Sequence, residues 1–242
     1  MTNESQPSNL LLQRRVLSDG TECPLPIRYF DSQNLIATFL TGMDRAVEML
    51  KGTGLQAVPQ EDGKAIVVLA CWEHRDTDLG PYNEVGLAIL AVAPGDLVPA
   101  LYVVNLPVAT TAAYRAGREI WGFNKFVTAI DITRDDKKFS TSVRDPDNAL
   151  IVTLEGTRGA STPMAPADIF TFTLLAGKVI KTLVQVPTPS HASTGDSFLL
   201  KVGNSEHPMA NNLRALALDG ARPVLVQFAD PFQAILHSGR TL

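Results

Sequence analysis

FVTAIDITRDDKKFSTSVRDPDNALIVTLEGT, residues 126–157, carries the first information about fold class. Three strand-length runs rich in Val, Ile, Thr and Phe (126–133, 138–145 and 149–157) are separated by RDDKK and DPDN. Asp, Asn and Pro make turns through local side-chain hydrogen bonds or a fixed φ, and connections this short join antiparallel neighbours. The segment is therefore expected to form an antiparallel meander.

The same composition recurs on both sides. NLIATFLT (34–41), KAIVVLACWEHR (64–75), GLAILAVAP (86–94) and LVPALYVVNLP (97–107) read as strands, and IFTFTLLAGKVIKTLVQVP (169–187) as one or two more. PVLVQFADPFQAILHSG (223–239) reads as a strand pair. Helices are few. MDRAVEMLKGTG (43–54) puts Ala46, Val47 and Leu50 on one face, and alanine-rich VATTAAYRAGREIWG (108–122) should end near Gly117 or Gly122. HPMANNLRALALDG (207–220) has Pro208 near its start and Gly220 past its end. Many strands without βα alternation predict an α+β fold, a mainly antiparallel sheet or barrel with helices packed at one side. Residues 1–26 read as a polar tail and lead-in, and 27–242 as a single domain.

With 242 residues, 45% hydrophobic and 19% charged, the chain can bury a sizeable core. Its net charge of −4 comes from 21 basic and 25 acidic residues with no basic stripe or polybasic helix, which argues against nucleic acid and against a membrane surface. The start, MTNESQPSNL, has no basic segment followed by an apolar run, and no stretch approaches the about 20 apolar residues that span a bilayer. Cys23 and Cys71 are far apart with no CxxC spacing, as suits a reduced protein. A cytoplasmic location is expected.

Several motifs have plain structural readings. In GTGLQA (52–57) the glycines follow a helix and precede a strand, the reverse of a dinucleotide site, so they read as a helix stop. EHRDTD (73–78) groups His74 with Asp76 and Asp78, but one histidine with two carboxylates is a poor metal set, and the segment reads as a solvated turn. No metal site is expected. No GxSxG elbow or Cys–His pairing supports acyl transfer, and Arg118 with Glu119 reads as an ion pair on a helix end. GREIWGFNKF (117–126) stands apart, because Lys125 follows Trp121 and Phe123 and precedes Phe126. Either its stem lies across an apolar surface with the ammonium in water, or the rings desolvate the amine and make it reactive.

AGREIWGFNKF (116–126) strongly resembles the signature of the acetoacetate decarboxylase family, in which a Gly-Arg-Glu helix end leads through an aromatic residue to a Schiff-base lysine. Lys125 falls on that lysine. LGPYNEVG (79–86) resembles the segment carrying the family's catalytic glutamate, here Glu84, and YF (29–30) and GMD (42–44) also agree in order and spacing. The resemblance runs from about residue 27 to the C-terminus. It implies a cone-shaped antiparallel β-barrel with a few peripheral helices, assembled as a homo-oligomer, acting on a small oxo acid without metal or organic cofactor. Phe30, Tyr82, Trp121 and Phe123 are the candidate pocket residues, with Phe126 a further ring near the amine.

The implied chemistry has a physical logic. A neutral amine attacks a ketone and loses water, leaving an iminium whose nitrogen accepts the electrons of a neighbouring breaking bond. Loss of CO2 from a β-keto acid such as acetoacetate is the default reaction. Aldol or dehydratase chemistry on pyruvate-like oxo acids uses the same imine, and a non-catalytic ligand-binding barrel is the remaining alternative. At an ordinary lysine pKa of about 10.4, only about one amine in a few thousand is neutral at pH 7. Burial among rings favours the neutral form, and the resemblance implies this device, since the family's namesake activates its lysine through desolvation or a neighbouring cation. A protonated Glu84 would move protons to and from the enamine carbon or the carbinolamine oxygen.

The match has gaps. Phe126 stands where the family has a second lysine, Asn124 where it has proline, and Ser32 where an arginine follows YF, with Arg28 and Arg118 the substitutes to consider. The family's earlier acid falls near Leu69, and Glu73 is not its simple equivalent.

Overall fold

A computed structural model describes residues 13–135 and 137–242. The described chain starts with a hairpin of β1 (Gln13–Val16) and β2 (Glu22–Leu25), followed by β3 (Ile27–Gly42), α1 (Met43–Met49) and β4 (Gln56–Ala57). Three strands follow, β5 (Lys64–Thr77), β6 (Tyr82–Val92) and β7 (Ala100–Asn105), and then α2 (Thr111–Ala116) with a π-helical turn at Gly117–Trp121. β8 (Ile130–Arg134), β9 (Lys138–Arg144), β10 (Leu150–Thr157) and β11 (Thr162–Met164) come next. β12 (Ile169–Leu175), β13 (Lys178–Gln185), β14 (Ser190–Ser193) and β15 (Leu199–Val202) precede α3 (Pro208–Ala215), β16 (Leu225–Leu236) and β17 (Arg240–Thr241).

The expected meander is present: β8, β9 and β10 pair antiparallel in order, and β15 adds to the far side of β10. Its turns form as their residues dictate. Asp135 accepts from the backbone N–H groups of Lys137 and Lys138, and Asp145 from those of Asp147 and Ala149.

The larger sheet runs β16–β3–β5–β6–β7–β12–β13, and β13 pairs back onto β16 through Val184–Leu236 and Gln185–Ile235, closing the path. One link departs from the antiparallel pattern: β7 and β12 are parallel at Leu101–Thr171 and Tyr102–Phe172.

Both faces of this sheet are covered, which is why AIVVLAC lacks polar alternation. On β5 the odd positions Val67, Leu69 and Cys71 join a core with Ile130, Phe139, Val152 and Leu154 of the meander and Met209 and Leu213 of α3. The even positions Val68, Ala70, Trp72 and His74 face the inside of the closed path.

Two expectations are revised. The segment 223–239 is not a strand pair but essentially one long strand, β16, interrupted at Asp230–Pro231, where proline cannot donate to the ladder. Residues 225–229 and 232–236 both pair with β3, because β3 is long enough to serve each half. β3 is itself longer than its apolar part, since polar Arg28, Asp31 and Gln33 find side-chain partners on or near β5. Among the described residues no helix is long and apolar enough to cross a membrane.

Candidate active site

Lys125 belongs to no regular strand, yet neighbouring backbone fixes it. Leu106 and Val108 donate to the carbonyls of Asn124 and Phe126 at 3.0 Å each, so this stretch runs beside the extension of β7. Val108 also bridges to Glu84 at the start of β6, which brings the two segments together. Extended backbone alternates its side chains, so Lys125 points into the closed path while Phe126 points away and lies against the ring of His207, the N-cap of α3, in a tilted arrangement with centroids 4.2 Å apart. Phe126 therefore does not wall the amine.

Gly122, at φ 73°, ends the π-helical turn in the left-handed region and lets the chain reverse toward Lys125. Gly117 has a different reason. A Cβ there would lie 2.6 Å from Lys125 Cδ and closer still to Cε, so the lysine stem occupies the space a larger residue would need. Arg118 and Glu119 do not form the expected pair. The Arg118 guanidinium donates to the Lys125 carbonyl at 3.3 Å, and Glu119 accepts from the Ser18 backbone and hydroxyl at 2.7 Å.

Lys125 Nζ donates to Glu84 Oε2 at 2.6 Å, with the residues 5% and 8% exposed. The amine lies 5.8 Å from the ring centroids of both Tyr82 and Phe123. The Tyr29 and Tyr82 hydroxyls are 3.3 Å apart, and burial followed by the Glu84 charge pushes both well above the ordinary tyrosine range.

This pair lies at a cavity of about 120 Å³ inside the closed path. Its wall is mostly hydrocarbon, including Ile36, Val68, Leu101, Ile169, Val184 and Leu236. The inward positions keep strict alternation along β5 and β6 (68, 70, 72, 74; 84, 86, 88). Tyr29 and Ile36 of β3 both face inward despite opposite parity, because the pairing of β3 with β5 shifts register around Asp31.

Of the pocket candidates, Tyr82 and Phe123 stand beside Lys125, but Phe123 alone of the four lines the cavity, and Tyr82, Trp121 and Phe30 do not. Trp121 sits behind Phe123, centroids 6.2 Å apart, its indole donating to the His237 carbonyl at 2.9 Å. Phe30 alternates outward from Tyr29, is 39% exposed and lies under the Arg28 guanidinium.

His74 was missed by sequence reasoning. EHRDTD is no solvated turn, since β5 continues to Thr77, and His74 is 4% exposed and faces the cavity. Ser32 Oγ shares a 2.8 Å hydrogen bond with His74 Nδ1, while Nε2 is buried without a partner. Burial, followed by the Lys125 charge, lowers its pKa to about 3, so the imidazole is neutral near pH 7. The sequence signal was its even spacing from Val68, Ala70 and Trp72.

Neither candidate arginine lines the cavity: Arg28 makes a two-point contact with Asp78 at 3.0 Å, and Arg118 holds backbone. Leu69 faces the core and Glu73 pairs with Gln33, so among the described residues Glu84 is the one carboxylate that lines the cavity. No cluster of His, Cys, Asp or Glu suited to a metal occurs among the described residues. Burial pushes the Cys23 and Cys71 thiols to about 11 and about 12, far from a reactive thiolate.

A family model described as acetoacetate decarboxylase matches residues 17–192. Among solved structures, an acetoacetate decarboxylase of Legionella pneumophila is 16% identical with a TM-score of 0.70, covering 90% of this chain and 87% of its own. The enduracididine biosynthesis enzyme MppR, in complex with pyruvate, is 15% identical with a TM-score of 0.67 over 93% of both chains. An acetoacetate decarboxylase-like enzyme from Sphingomonas wittichii RW1 is 12% identical, with a TM-score of 0.67 over 93% of this chain and 96% of its own. At such identities the likeness shows the fold. No curated protein sequence matches.

Proposed function

The chain belongs to the acetoacetate decarboxylase family, and from that premise we propose that it is an imine-forming carbon–carbon lyase with Lys125 as nucleophile and Glu84 as its proton-transfer partner. The observation that carries this reading is the 2.6 Å contact between Lys125 Nζ and Glu84 Oε2 at an otherwise apolar cavity. A proton moved from Nζ to Oε2 across this distance yields a neutral amine and a carboxylic acid in one step. The amine attacks the substrate carbonyl, and the acid protonates the carbinolamine oxygen, which leaves as water. The iminium then accepts the electron pair of the bond broken at the α-carbon. Glu84, reprotonated by water after loss of CO2 or by the β-hydroxyl in an aldol cleavage, gives that proton to the enamine carbon, and hydrolysis of the iminium releases the ketone and restores the lysine.

Two reactions share this flow. The default is decarboxylation of a β-keto acid such as acetoacetate, and the other is aldol-type cleavage. The second is favoured by the lack, among the lining residues, of any cation but the already paired Lys125. The closed pairing path supports the cone-shaped barrel, and the two unbridged cysteines suit a cytoplasmic protein. Homo-oligomer assembly rests on the family resemblance.

The test is intact-mass spectrometry with peptide mapping after incubation with oxo acids, ketones and borohydride. A reduced adduct on Lys125, absent in Lys125→Ala, is expected. Reversible binding without any adduct would leave a ligand-binding protein instead.

A further inference from the structure

The cavity's polar inventory is short and uncharged apart from one ion pair. Lys125 and Glu84 neutralise each other, and once the imine forms its positive nitrogen still faces the same carboxylate. A carboxylate on the substrate would be a second buried anion beside Glu84, sharing a single cation, an arrangement that costs binding unless another donor pairs it. Among the described residues no arginine and no further lysine lines the cavity.

What the cavity does offer is neutral. His74 Nε2 and Thr171 Oγ1 are both buried, both belong to lining residues, and neither has a hydrogen-bond partner. Buried polar atoms are rarely left unpaired. When the Ser32 hydroxyl donates to Nδ1, the imidazole proton sits on Nε2, ready to donate to an oxygen within the cavity. Thr171 supplies a hydroxyl from β12, and the remaining wall is largely aliphatic and aromatic.

We propose that the substrate is an uncharged β-hydroxy ketone with hydrocarbon ends, held by the imine at Lys125 and by His74 and Thr171 at its second oxygen, and not an oxo-acid anion. This rests on the imine-forming reading and selects, among its reactions, those that need no substrate carboxylate. In the cleavage, the bond between the α- and β-carbons breaks as the β-hydroxyl loses its proton to Glu84, now a carboxylate. The β-carbon leaves as an aldehyde, and the electron pair passes to the iminium to give an enamine. Glu84 protonates the α-carbon, and hydrolysis takes up the water lost during imine formation, with no net oxidation. A cavity of about 150 Å³ holds benzene, so the about 120 Å³ here suits a ligand of small size.

The experiment compares 4-hydroxypentan-2-one with 4-hydroxy-2-oxopentanoate, which differ only by a carboxylate in place of a methyl group and both release acetaldehyde. Borohydride trapping of pentan-2-one on Lys125 runs alongside as the control for imine chemistry. The proposal expects kcat/KM for the neutral aldol to exceed that for the oxo acid by about tenfold or more. Equal or better turnover of the oxo acid overturns it while leaving the imine reading intact. Trapping of pentan-2-one with neither aldol cleaved also overturns it, and no adduct with any carbonyl compound removes the imine reading as well.

Discussion

At neutral pH His74 is uncharged among Tyr29, Trp72 and Tyr82, with Lys125 close enough to oppose a second positive charge. Its pKa of about 3 in the folded protein compares with about 6.5 in an unfolded chain. Between these values the unfolded chain binds a proton that the folded one does not, so stability falls as pH drops through 6.5 and keeps falling toward 3. The slope approaches about 1.4 kcal/mol per pH unit, which integrates to about 3 kcal/mol between pH 7.5 and 4.5. The perturbation is His74→Phe, which keeps a ring of similar shape and removes the titration. It also strands the Ser32 hydroxyl at a cost of about 1–3 kcal/mol, but that cost does not depend on pH. Urea unfolding of both proteins across this range should show the wild type losing about 3 kcal/mol relative to the variant. The other titrating groups, including His207 with its own lowered pKa, are common to both proteins and cancel. A flat difference would mean that His74 takes up its proton normally in the folded state, and would refute the burial argument.

Two substitutions test the lysine's setting. Gly117→Ala is compatible with the local backbone but drives a methyl into the Lys125 stem, so Tm should shift by no more than about a few degrees while borohydride trapping slows by about 100-fold; unchanged trapping would mean the stem finds room elsewhere. Glu84→Gln leaves a lysine only 5% exposed without its counter-charge and should cost about 3–5 kcal/mol in urea unfolding, much of it recovered in Glu84→Gln/Lys125→Met. A loss below about 1 kcal/mol in the single variant would show that water reaches the amine.

Short-range chemistry was the readable part of this chain. Asp135 and Asp145 shape turns within a few residues of themselves, so the β8–β9–β10 meander follows from composition and local side-chain bonds. The Lys125 signature is likewise local, because Gly117, Trp121, Gly122, Phe123 and Phe126 lie within residues 117–126. Which rings face the amine was not local. Phe30, Trp121 and Phe126 have the same character as Phe123 and Tyr82, and only backbone alternation and the reversal at Gly122 sort them into those beside the amine and those behind or away from it. His74 was hidden for the same reason. Its neighbours Glu73 and Arg75 are polar because they pair with Gln33 and Asp31 of β3 on the outer side of β5, and a stretch of such residues reads as solvent-exposed until the partner strand is known. Sequence alone thus determined which segments become strands and which lysine is singled out. Tertiary structure decided what that lysine meets, because a two-residue side-chain period carries no sign, and only closure of β13 onto β16 makes one face an interior.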